Sequence, residues 1–119
     1  MKYSELVVWQ SSMDLVTEIY KITATFPADE RFGLSSQARR AAVSIPSNIA
    51  EGQGRKATGA YLNHLSIAHG SLMELETQFQ IAVRLNFITQ NNASVLLKQM
   101  DEIGKMLNSL RKSLSAKNV

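Results

Sequence analysis

The sequence predicts an all-α protein, specifically an antiparallel up-down-up-down four-helix bundle, on three observations. Apolar residues recur three and four positions apart in four separate segments, which is the period of an amphipathic helix. The sustained alternation of apolar and polar residues that is typical of strands is absent from the sequence. Short connections join the four segments and favour antiparallel neighbours. With 119 residues, 45% of them hydrophobic and 19% charged, the chain is expected to form one domain spanning residues 1–119.

The first two helices are predicted on either side of Pro27. The first has two neighbouring apolar stripes. The stripe that we expect to face the core consists of Trp9, Met13, Val16, Tyr20 and Thr23. The second stripe, beside it, consists of Leu15, Ile19, Ile22 and Phe26. The second is predicted from about Leu34 to Glu51, with Gly52 as its C-cap. Its core stripe is Leu34, Ala38, Ala41, Ile45 and Ile49. Pro46 interrupts this helix at a cost of about 3 kcal/mol, so we expect a structural reason for it, such as a bend that fits a neighbour.

The third and fourth helices carry heptad seams, in which apolar residues alternate four and three positions apart. The third is predicted from about Thr58 to Asn86 with the seam Tyr61, Leu65, Ala68, Leu72, Leu75, Phe79 and Ala82. The fourth begins after the capping side chains of residues 89–92. Its seam is Leu96, Met100, Ile103, Leu107, Leu110 and Leu114.

The second and third helices also have faces that lie opposite their core stripes yet hold few charges. A monomeric bundle normally fills such faces with lysine and glutamate, and a glycine in mid-helix costs about 1 kcal/mol relative to alanine. We therefore expect a subunit interface in which Arg40 and Glu74 form an ion pair, the alternative being a bundle that simply packs unevenly. The predicted interface residues are Arg40, Ser47, Ile67, Gly70, Glu74 and Ile81.

Positive charge is concentrated in two parts of a chain whose net charge is +3. Residues 31–56 hold five basic side chains and one acid, and residues 105–119 hold four basic side chains and no acid. Such zones suggest an anionic partner. The second zone also has a simpler explanation, since cations are favoured near the C-terminus of a helix. The residues predicted to contact nucleic-acid phosphates are Arg31, Arg39, Arg55 and Lys56.

Catalytic and metal-binding patterns are missing from the sequence. Cysteine is absent, which excludes thiolate chemistry and disulfides and fits a cytoplasmic protein. His64 and His69 are five positions apart, so they do not share a helix face as a metal pair would, and we interpret both as polar-face or packing residues. We expect no catalytic residue, metal or cofactor, no membrane span, and no signal peptide.

Motifs along nearly the whole chain resemble those of the bacterial four-helix proteins encoded by intervening sequences in 23S ribosomal RNA genes. The most specific is Ser44-Ile45-Pro46-Ser47-Asn48-Ile49-Ala50-Glu51-Gly52. Further matches are Val8-Trp9-Gln10, Tyr20, Leu34, Gln37, Arg39-Arg40-Ala41, Arg55, Tyr61, Leu65, Ile67-Ala68, Gly70-Ser71 and Glu74-Leu75-Glu76. The resemblance implies an antiparallel bundle that assembles as a ring of five subunits. It also implies similarity to the accessory protein of diversity-generating retroelements, a basic pentamer that associates with a reverse transcriptase and nucleic acid.

Two functions are therefore expected, with a third held improbable. The first is a non-enzymatic, homo-oligomeric RNA- or DNA-binding protein that contacts phosphates without recognising base sequence. The second is an interaction scaffold that docks a partner enzyme, such as a reverse transcriptase. Binding of a small molecule or metal inside the bundle is disfavoured because the helix seams are apolar.

Overall fold

The computed structural model describes residues 1–117 and is all-α over that range. It has four helices, α1 (Val7–Thr23), α2 (Leu34–Gln53), α3 (Thr58–Arg84) and α4 (Gln90–Lys117), with short 3-10 helices at Tyr3–Glu5 and Ala28–Glu30. The predicted all-α class with four helices is confirmed, and the bounds of α2 and α3 lie within two residues of those predicted. The last two residues of the predicted domain lie outside the described part of the chain.

Side-chain contacts join each helix to the next one along the chain. Arg39 in α2 contacts Tyr20 and Thr23 at the end of α1. Ser44 and Asn48 of α2 contact Ser71 and His64 of α3, respectively. Arg111, near the end of α4, donates to Ser66, in the third turn of α3. The most extensive of these helix–helix packings joins α2 to α3.

The core is built from the predicted stripes of α2, α3 and α4, but α1 is rotated relative to the prediction. The buried residues of α1 are Val8, Ser12, Leu15, Ile19 and Thr23. Met13 and Tyr20 are exposed, although the sequence placed them on the core stripe. Two apolar stripes lie side by side on this helix. The buried stripe includes Ser12, whose hydroxyl donates to the Val8 carbonyl at 2.7 Å, so this polar residue is accommodated in the core.

Helix α2 runs through both residues that the sequence marked as breakers. Pro46 is buried within the helix, and it lines a hollow against α1 and Tyr3. Gly52 is not the C-cap, because the helix continues to Gln53 and ends at Gly54. A Cβ on Gly52 would lie 2.8 Å from Cβ of His64 and 2.9 Å from Cδ1 of Tyr61. Gly52 is therefore required by the close approach of α3, not by a left-handed cap.

None of the four helices, over the residues that the structure describes, is both long and apolar enough to cross a membrane.

Candidate nucleic-acid interface

One end of the molecule collects basic residues from three separate parts of the chain. The α2–α3 turn carries Arg55 and Lys56, and the last turns of α4 carry Arg111 and Lys112. The backbone carbonyl of Met1 accepts a hydrogen bond from Gln53 Nε2, so Lys2 also lies near this turn. We call this region the basic end.

Arg55 and Lys56 are both exposed in the tight turn between α2 and α3. The backbone N–H of Arg55 donates to the Gly52 carbonyl at 3.0 Å, which fixes the main chain while leaving the guanidinium outside. Neither side chain takes part in an ion pair within residues 1–117. Both predicted phosphate ligands are therefore accessible from solvent.

Arg31 lies near the opposite end of the molecule, in the connection between α1 and α2. Its guanidinium carbon is 5.3 Å from the centre of the Phe32 ring, a cation–π distance. Both side chains are exposed, and Asp29 is exposed close by in the chain. The structure thus separates Arg31 from Arg55 and Lys56, with which it had been grouped.

Arg39 is engaged with its own chain. Its Nε donates to Thr23 Oγ1 at 2.9 Å and its Nη2 to the Tyr20 carbonyl at 3.2 Å. The guanidinium carbon also lies 4.6 Å from the centre of the Tyr20 ring. A cation at this position stabilises the C-terminus of α1, where helix carbonyls lack partners. A phosphate contact by Arg39 stays a prediction, and it would compete with these contacts.

Sequence reasoning passed over a groove at the basic end, between the first turns of α3 and the last turns of α4. The groove has a volume of about 860 Å³ and includes Ser66, Lys105, Asn108, Arg111 and Lys112 in its lining. The signal that could have found it is the absence of acids after Glu102. The sequence alone does not distinguish this signal from cations placed to stabilise the C-terminus of a helix. The groove itself arises only from the packing of α4 on α3.

A network of hydrogen-bonded polar side chains lies in the seam between α2 and α3 and involves several residues of the Ser44–Gly52 motif. Asn48 Nδ2 donates to the Ser44 carbonyl at 2.9 Å, and Asn48 Oδ1 lies 3.0 Å from His64 Nδ1. Ser71 Oγ donates to Ser44 Oγ at 2.8 Å. The imidazole of His64 also lies 3.7 Å from Glu51 Oε2. These groups satisfy one another between the helices, so the motif has a structural role in joining α2 to α3.

The outer faces of α2 and α3 flank this seam and contain the predicted interface. All six residues predicted there are exposed: Arg40, Ser47, Ile67, Gly70, Glu74 and Ile81. Within residues 1–117 no ion pair joins Arg40 to Glu74. Glu74 Oε1 instead accepts a hydrogen bond from Gln78 Nε2 at 3.1 Å. An Arg40–Glu74 pair could therefore form only between subunits or after side-chain movement.

Packing within residues 1–117 does not account for Gly70. A Cβ at this position would meet no atom within 4 Å among the described residues. The subunit therefore leaves unexplained a glycine that costs a helix about 1 kcal/mol.

An apolar hollow continues this weakly charged surface around α2 to α1. It has a volume of about 320 Å³, and its lining includes Trp9, Met13, Val43 and Pro46. Trp9 is half-buried rather than fully buried and stacks edge-on against Tyr3, with ring centres 5.3 Å apart. The aromatic stripe that the sequence assigned to the core thus borders a surface.

The opposite side of α3, which faces α4, carries the half-buried carboxyl of Glu76. Burial raises the pKa of Glu76, the nearby Asp101 carboxylate raises it further, and His69 acts in the opposite direction. Among residues 1–117 no group of three or more histidine and acidic side chains could hold a metal ion.

The fold and its charge distribution define a class of small four-helix proteins with one basic end and a weakly charged lateral face. The chain belongs to the 23S rRNA-intervening sequence protein family, whose model matches residues 4–109. It is similar to a protein of unknown function from the S23 ribosomal protein family of Bacteroides thetaiotaomicron, with 26% identity and a TM-score of 0.84. That match covers 94% of this chain and 99% of the other. No curated protein matches the sequence.

Proposed function

We propose that this protein is a non-enzymatic, cytoplasmic nucleic-acid-binding protein. It forms an up-down-up-down bundle that assembles into a homo-oligomeric ring, in keeping with the resemblance noted in its sequence. Its basic end contacts the phosphate backbone of structured RNA or of DNA without recognising base sequence.

The observation that carries this proposal is that basic residues far apart in sequence lie at the same end of the molecule. Arg55 and Lys56 approach the same end of the molecule as Arg111 and Lys112. Cations gathered on one surface raise the local concentration of a polyanion, and each phosphate that they neutralise releases counterions. Within this proposal Arg55 and Lys56 are the principal ligands. Arg31 is secondary because it lies at the other end, and Arg39 is secondary because it is engaged with α1.

Self-association is supported by the outer face of α2 and α3. Ile67 and Ile81 are 44% and 41% exposed on the same side of α3 as Gly70, whose missing side chain would let another backbone approach. A ring would place several copies of the basic end around one axis, so the modest charge of each subunit would be multiplied.

A second candidate, an interaction scaffold, is favoured by the apolar hollow beside Trp9. Aromatic residues and methionine are enriched where proteins bind one another, and the hollow holds Tyr3, Trp9 and Met13. In this function the surface would dock a partner enzyme, and the basic end would contribute to solubility.

The two candidates are separated by titrating the protein with structured RNA and with duplex DNA across a salt series that includes about 150 mM, where the Debye length is about 8 Å. The first predicts binding with a steep salt dependence that weakens in Arg55→Glu/Lys56→Glu. The matched control is Arg84→Glu/Lys98→Glu, which changes the charge equally at exposed sites away from the basic end. Absence of binding by the unmodified protein would refute the first candidate and leave the scaffold.

A further inference from the structure

The groove between α3 and α4 has the lining expected of a site for an anion. Eight residues of the described part of the chain line it, of which only Leu62 is apolar and none is acidic. A volume of about 860 Å³ lies toward the upper end of the range for ligand sites, but such sites are usually lined by apolar side chains. The cations and neutral hydrogen-bonding side chains of this lining therefore favour a negatively charged ligand.

The cations in this groove differ in how far they are already neutralised. Lys105 Nζ lies 3.2 Å from Asp101 Oδ2, and both side chains are largely exposed, so this pair is weak. Within residues 1–117 the contacts of Arg111 are to neutral groups, since it donates to Ser66 Oγ at 3.3 Å and to Asn108 Oδ1 at 3.4 Å. These contacts orient its guanidinium across the groove without cancelling its charge. Lys112 is exposed and forms no ion pair within residues 1–117.

The spacing of these cations suits an extended anion better than a single phosphate. Lys105 and Lys112 are one heptad apart, so they lie on the same side of α4 about 10 Å apart along its axis. A single phosphate cannot reach both lysines over that distance, whereas successive phosphates of one nucleic-acid strand can. Serine and asparagine side chains between the cations can hydrogen-bond to sugar and phosphate oxygens.

We propose that this groove holds the sugar-phosphate backbone of a nucleic-acid strand, with Arg111 and Lys112 as its principal phosphate ligands and Asn108 and Ser66 as neutral ones. This inference rests on the proposed function and adds the course of the bound strand over the protein surface. The strand runs along the α3–α4 groove and continues onto Arg55 and Lys56 in the adjacent turn.

The test compares two charge-matched double variants of the full chain. Arg111→Glu/Lys112→Glu changes the groove, and Arg84→Glu/Lys98→Glu changes exposed sites toward the other end of the bundle. The probes are a fluorescent RNA hairpin and a DNA duplex of the same stem sequence, each titrated over a salt series, with a circular dichroism melt of every variant. Arg111→Gln/Lys112→Gln serves as a milder version should the reversed charges disturb folding.

We expect the groove variant to bind at least about tenfold more weakly than the control, with the salt slope reduced by about 1.4–1.8 because two phosphate contacts at about 0.7–0.9 each are lost. Loss with both probes assigns the site to the shared backbone, and loss with the RNA alone assigns it to RNA. If the unmodified protein binds but the groove variant matches the control, the groove is refuted while the proposed function stands. If the unmodified protein binds neither probe, the proposed function fails and the groove fails with it.

Discussion

The inner seam and the outer face of helices α2 and α3 contain the same kinds of small residues for different reasons. On the inner seam Gly52 is buried, and a Cβ there would lie within 3 Å of His64 and Tyr61. On the outer face Gly70 is exposed, and a Cβ would meet nothing within 4 Å in the described residues. Packing inside one subunit explains the first glycine and cannot explain the second. The role of a glycine in these helices therefore depends on which atoms lie opposite it.

The largest effect is expected at the inner seam, in Gly52→Ala. Alanine is the better helix former by about 1 kcal/mol, but its methyl group overlaps atoms of α3, and overpacking costs about 1–3 kcal/mol. We expect a net loss of up to about 2 kcal/mol in the free energy of unfolding, measured by chemical denaturation. Gly59→Ala is the control, because a Cβ there meets nothing within 4 Å. Equal stability of the two variants would show that α3 can shift away from α2 to accommodate the methyl group without a loss in the free energy of unfolding.

A smaller effect of opposite sign is expected on the outer face, in Gly70→Ala. The substitution removes backbone freedom from the unfolded chain and should stabilise the subunit by about 0.5–1 kcal/mol. If another backbone approaches Gly70 in the proposed assembly, the added methyl group will weaken the oligomer. The oligomer of Gly70→Ala will then dissociate at a higher protein concentration than that of the unmodified protein, as followed by sedimentation. A subunit that is destabilised would show that this glycine does have an intramolecular role. Unchanged assembly would exclude close approach at this point.

The smallest effect is expected on the side of α3 that faces α4, in Glu76→Gln. Burial raises the pKa of Glu76 in the folded protein, and Asp101 adds to the rise. The folded state therefore holds this proton more tightly than the unfolded state does. The contribution of Glu76 to stability is fully present below the unfolded pKa of about 4.3 and is lost as pH rises through the folded pKa. We expect Glu76→Gln to be more stable than the unmodified protein at pH 7 by a few tenths of a kcal/mol, and this gain should disappear near pH 3.

Denaturation midpoints of Glu76→Gln at the two pH values provide the measurement, with Glu102→Gln at an exposed site of α4 as the control. A gain that is equal at pH 3 and pH 7 would attribute the effect to packing rather than to the charge.

Much of the fold was predictable because a helix records its buried face in its own sequence. The heptad seam of α3, from Leu65 to Ala82, is buried as predicted. In α1, two apolar stripes compete, and nothing local indicates that the stripe containing Ser12 faces inward. The motif around Pro46 identified the family, yet its work in joining α2 to α3 depends on His64 and Ser71, which lie on the other helix.

The sequence by itself determined the fold class, the family and the two basic zones, because periodicity, motif and charge are properties of neighbouring residues along the chain. Only the tertiary structure decided which basic side chains are exposed and which are bonded to other parts of the protein. Arg39 and Arg55 lie in the same basic zone, yet the first is bound to the end of α1 and the second is exposed in a turn. The physical reason is that the groups opposite an arginine decide whether its guanidinium bonds within the protein or remains accessible to a ligand. What lies opposite is set by contacts between residues far apart in sequence.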